Sequence, residues 1–238
     1  MPMIFENYRP AIIGILSFLI FVTLIHADRY SRFFISHFPS RGSATRVFLD
    51  RISGFVFMGF FPFIYLSVTH TQDVLYSLTL KQPPKETLPF FFLVITLIII
   101  IAAFYSGHED NTQNYPQIRH KNWSVSLIFL NILTWTLYLA GYEFLFRGIL
   151  IFTLLPSLGL PATVLINAAI YSLAHFYKGR KEMIAAIPFG LLLAYVTATT
   201  QSLWFAFFFH ITLALSNDFF SARALHYRID LRRGNENR

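Results

Sequence analysis

Tyr142-Glu143-Phe144-Leu145-Phe146-Arg147-Gly148 sets a carboxylate and a guanidinium inside an apolar run that carries almost no other charge. Ionisable groups in hydrocarbon are expensive, so at membrane depth they point to a functional site by default. Glu143 and Arg147 are four residues apart, which places them on one helix face within pairing reach. An ion pair buried only to fix helix packing is the competing reading of these two residues.

The chain around this stretch is built for lipid. Of its 238 residues 55% are hydrophobic and 13% charged, with a mean hydropathy of +0.53. An average soluble domain is about 25% charged. The apolar runs are continuous rather than alternating, which argues against a β-barrel. The expected fold class is therefore all-α, a polytopic membrane bundle forming one integral membrane domain over residues 1–238. The net charge of +7 could suit a nucleic-acid binder. Its lysines and arginines flank the apolar runs, however, where they set topology, so no nucleic-acid partner is expected. Cysteine is absent, which excludes disulfides, thiolate metal sites and a cysteine nucleophile.

About seven spans follow from runs near the length of roughly 20 residues that a bilayer needs. They are 10–27, 52–70, 88–107, 123–155, 162–177, 184–200 and 203–220. The first is too long for a typical signal-peptide core and reads as a retained helix. Residues 28–51 are basic and interleaved with Phe33, Phe34 and Phe38, the pattern of a membrane-surface helix. Span three is the most apolar and should face lipid. The linker 108–122 is the only strongly polar one. Span four exceeds one crossing, so it should be tilted, bent near Gly141 or broken, with Pro156 and Gly159 ending it. The tail 221–238 is basic, and 232–238 should be disordered. Loop charge gives an N-out, C-in orientation.

At membrane depth the remaining polar groups are Glu143, Arg147, His175 and His210, with the amides Asn131, Asn167 and Asn217. A single intramembrane histidine is more often a packing residue than a catalyst. Two histidines and a glutamate on three helices can instead face one cavity. Three chemistries use such a set. Zinc hydrolysis would need Glu143, His175 and His210 together, without a His-Glu-x-x-His pair, and is disfavoured; no cofactor is expected. Metal-free hydrolysis would activate a water by Glu and His, with another His on the oxyanion. Proton-coupled transport would relay protons through the same groups, but the paired broken helices of many transporters are not seen.

Glu143-Phe-Leu-Phe-Arg147-Gly148 resembles the Glu-Glu-x-x-x-Arg motif of the CAAX protease and bacteriocin-processing family of intramembrane endopeptidases. Tyr171-Ser-Leu-Ala-His175 is similar to its second motif, Phe-x-x-x-His. His210 stands where its third, His-x-x-x-Asn, begins. The resemblance covers about 138–217, within a family-like core of about 123–220. It implies a membrane-associated peptide or lipidated protein as substrate, with membrane lipids as surroundings. The short, single-domain chain favours a bacterial inner membrane over an endoplasmic reticulum as the setting. The resemblance further implies that the first Glu and the second-motif His activate water, while the third-motif His and Asn form the oxyanion hole. The second Glu and the Arg support the site.

Two positions depart from the pattern. Tyr142 occupies the place of the first Glu, so Glu143 matches the second, and Ala214 occupies the place of the Asn. Consecutive helix residues point about 100° apart, so Glu143 must reach the water from the wrong side, or span four must be distorted near Gly141. Asn217 lies on nearly the same face as His210 but about 10 Å further along the axis. The expected activity is a CAAX-protease-like glutamic endopeptidase with Glu143, His175 and His210 as catalytic residues. Arg147, Tyr142 and Asn217 support them. An inactive relative serving as a membrane binding or immunity-type protein is the alternative, and a proton-coupled transporter the third.

Overall fold

The computed structural model describes residues 2–26, 43–69, 82–120 and 123–236. Every regular element among them is helical. In chain order these are α1 (Pro2–His26), α2 (Ala44–Val68), α3 (Leu88–Tyr105), α4 (Glu109–Asn114), α5 (Val125–Ala174), α6 (Arg180–Thr200) and α7 (Trp204–Glu236). All but α4 lie in helices long and apolar enough to cross a bilayer, which makes six among the described residues. The seventh expected span is the second limb of α5. Gly159 has φ 70° and ψ 174°, a left-handed backbone that glycine adopts without the cost a Cβ would add. It divides α5 into limbs 125–158 and 160–174. Pro156, expected to end the fourth span, lies within the first limb.

Polar side chains start two of these helices. The Ser43 hydroxyl accepts from the Arg46 backbone N–H at the head of α2. Ser124 does the same for Leu127 at the head of α5, in each case satisfying an N–H that the first helical turn cannot. The second limb of α5 packs along α6, while α7 lies against α3 and the first limb. α1 crosses the turns where α2 and α5 are deformed. The apolar window of α3 is only 17% buried, the least of the six, as its sequence predicts for a lipid-facing helix.

Several boundaries differ from the sequence expectation. The proposed surface helix lies mostly in 27–42, outside the described residues. Its last part is the start of α2, so Arg46 and Arg51 belong to a helix long and apolar enough to cross a bilayer, not to a surface helix. The linker 108–122 is not simply a polar connection: it contains α4 and sends Tyr115 and Ile118 into the interior. The helix backbone of α7 continues to Glu236, where a disordered end was expected. Ser221, placed at the start of a tail, is fully buried and accepts a hydrogen bond from Asn111 at 2.7 Å.

Candidate active site

The site begins where α5 leaves α-geometry. Gly141 lies against α2 so closely that a Cβ there would sit 3.1 Å from the Gly59 backbone nitrogen and 3.2 Å from Phe55 Cα. Three residues later, at Phe144–Leu150, the helix widens into a π turn. Such turns bond i to i+5 and recur at functional sites. Asn167, fully buried on the second limb, donates to the Phe146 carbonyl at 2.6 Å. This gives the widened turn a partner from across the bundle. The distortion anticipated near Gly141 therefore falls just after Glu143.

Glu143 and Arg147 are both wholly buried, with Arg147 Nε 3.4 Å from Glu143 Oε2. The guanidinium also lies over the Tyr171 ring, 4.1 Å from its centroid, where the ring quadrupole attracts a cation. The other carboxylate oxygen, Oε1, meets His210 Nδ1 at 2.5 Å. A carboxylate can only accept, so Nδ1 carries the hydrogen and His210 Nε2 is turned away from Glu143. His175 is fixed by a different partner. Its Nδ1 donates to the Tyr171 carbonyl at 2.9 Å, which leaves Nε2 with a free lone pair in the neutral ring.

Tyr142 stands among these groups. Its ring stacks on Phe146 at 4.4 Å between centroids and meets Tyr171, His210 and His175 edge-on at 5.9, 5.5 and 6.5 Å. Gly190 of α6 makes room for Tyr171, since a Cβ there would come within 2.8 Å of that ring. A cavity of about 540 Å³ opens on this wall, lined by Tyr142, Tyr171, His175, His210, Ala214 and Asn217 among others. Five of the six candidate residues thus line or contact one another: Glu143, Arg147, His210, His175 and Tyr142. Asn217 shares the cavity but makes none of the bonds above. Among the described residues, no three histidines, aspartates or glutamates lie together as metal ligands would.

Sequence reasoning missed two charged features beside this cavity. Arg51, taken as a loop charge, is 3% exposed and spans α2, α5 and α7. It bonds Gln117, Asn131 and Thr134 and lies 3.4 Å from Asp218, with its guanidinium 4.0 Å from the Trp135 ring centroid. Asp218 also accepts from the Trp135 indole at 2.7 Å and the Gln117 backbone at 3.1 Å. An aspartate inside an apolar span was the available signal. The second feature is Lys178, one 3₁₀ turn beyond His175. Its ammonium donates to the Tyr115 hydroxyl at 3.3 Å. Burial pulls its pKa down, yet Tyr115 and Glu182 carry it above the ordinary value, so it stays charged. Burial raises the Tyr115 phenol, which stays neutral at physiological pH.

Residues 123–216 fit the type II CAAX prenyl endopeptidase Rce1-like family. This segment is Rce1-like. No curated protein and no solved structure matches the chain. The Rce1-like segment holds both limbs of α5, all of α6 and the part of α7 that carries His210. An Rce1-like core in a polytopic helical protein indicates intramembrane peptidase activity of the CAAX-protease type.

Proposed function

We propose that this chain is an intramembrane endopeptidase that hydrolyses a membrane-associated or lipidated peptide without a metal, in a bacterial inner membrane. The observation that carries this reading is the Glu143–His210 contact, with His175 lining the same cavity and its Nε2 left unused by the Tyr171 bond. His175 Nε2 takes a proton from water as its oxygen attacks the scissile carbonyl, and later returns it to the leaving amine. His210, held by Glu143, carries the developing oxyanion through Nε2 when protonated. A buried carboxylate stabilises that imidazolium and fixes its orientation, and such preorganised donors act strongly in a dry site. Arg147 lies 3.4 Å from the other Glu143 oxygen. Glu143 supports the site rather than serving as water base, because both of its oxygens already face cations or donors.

The test is cleavage of a quenched fluorescent peptide bearing a farnesyl-cysteine near a free C-terminus, by purified protein in detergent. His175→Ala should abolish cleavage. Retained cleavage would sink the assignment of the base.

A second reading is supported by the Tyr142 ring and by Ala214, which stand where the family has a glutamate and an amide. It makes the chain an inactive relative that binds a membrane partner in the same cavity. Under it the native protein cleaves nothing, and Tyr142→Glu with Ala214→Asn creates activity. Native cleavage would end this reading.

A further inference from the structure

We infer that Tyr142 is a catalytic residue, its phenol hydroxyl serving as the oxyanion donor that the chain lacks at Ala214. The inference rests on the peptidase reading above. Tyr142 is only 4% exposed, and its hydroxyl oxygen is buried without a hydrogen-bond partner among the described residues. Burying a hydroxyl in this way destabilises a fold, and native proteins satisfy nearly all such groups. The five aromatic rings around Tyr142 would accept phenylalanine equally well. Packing thus explains the ring and leaves the oxygen unexplained.

Its position supplies the explanation. Tyr142 lies in the wall shared by the cavity that holds both histidines and by a second cavity of about 450 Å³ on the side of α1. It stands edge-on to both imidazoles, 5.5 Å from His210 and 6.5 Å from His175 between centroids. Tyr142, His175 and His210 thus line one cavity. An unperturbed phenol ionises near pH 10, so Tyr142 is a donor and not a base at neutral pH. Ala214, buried 3% exposed in the same cavity, has no donor to offer.

The step balances within the site. The water oxygen forms a bond to the carbonyl carbon, its proton moves to His175 Nε2, and the carbonyl π pair moves onto oxygen. That oxyanion accepts from the Tyr142 O–H and, where His210 is the imidazolium, from its Nε2–H. On collapse the C–N bond breaks, the amine takes the proton from His175, and the hydroxyl is released to its unbonded state.

Tyr142→Phe removes the oxygen alone. With the farnesyl-cysteine peptide as probe, kcat should fall about 10²–10³-fold, the loss expected for one oxyanion donor, with KM within about threefold. The unfolding midpoint should stay level or rise. If the native protein cleaves and Tyr142→Phe keeps kcat within threefold, the donor assignment is overturned and the peptidase reading stands. A lower midpoint would show that the hydroxyl has a structural partner, which also overturns the assignment. If the native protein does not cleave the probe or a library of membrane-anchored peptides, the peptidase reading and the donor assignment fall together.

Discussion

Asp218→Ala should cost more stability than any change in the candidate site. Arg51 and Asp218 are 3% and 2% exposed, so neither charge has water to fall back on. Removing one partner of such a pair leaves an uncompensated buried charge, a loss of about 3–5 kcal/mol. The Trp135 indole and the Gln117 N–H would lose their acceptor in the same step. An unsatisfied buried donor adds about 1–3 kcal/mol, although groups sharing one network do not add independently. The assay is reversible unfolding in mixed micelles, titrated with dodecyl sulfate and followed by tryptophan fluorescence. The double variant Arg51→Met with Asp218→Leu replaces the pair by apolar groups of similar length, and should recover most of the loss. A single-variant loss below about 1 kcal/mol, the size of an exposed pair, would refute the view that this cluster ties α2 and α5 to α7. A double variant no better than Asp218→Ala would refute the charge argument itself.

Two further changes probe the turn that carries Glu143. Gly141→Ala sets a methyl against the α2 backbone rather than a movable side chain; overpacking of this kind costs about 1–3 kcal/mol and should lower the unfolding midpoint while loosening Glu143. Asn167→Ala removes the donor to the Phe146 carbonyl, a loss of about 1–3 kcal/mol. Peptide cleavage should fall further than stability alone accounts for, and an unaltered rate would show that the π turn holds its shape unaided.

The apolar runs were legible because hydropathy is a local property that lipid amplifies. The Glu143–Arg147 contact was legible for the same reason, as four residues on a helix define one face. Glu143 and His210 lie 67 residues apart, and only the family motifs linked them before the bundle was known. Arg51 and Asp218 are separated by 167 positions. An arginine near the head of an apolar run reads as a loop charge until its partner on the last helix is placed. The deformed turns at Val56–Phe60 and Phe144–Leu150 have no composition of their own, since packing between helices selects them. Pro156 and Gly159 did announce a break, yet the helix crosses Pro156 before turning.

The widened turn at Phe144–Leu150 also has a bearing on how this chain can change over time. It accommodates one residue more than an α-helical turn of equal rise. Deleting a single residue there would return α5 to ordinary periodicity and rotate everything beyond it by about 100° relative to Glu143. Asn167 would then miss the carbonyl it serves, and a different side chain would come to face Tyr171 in place of Arg147. In this stretch the number of residues governs the outcome as strongly as their identity. A one-residue gap among kindred sequences here would mark a rebuilt reaction centre, not a neutral slip.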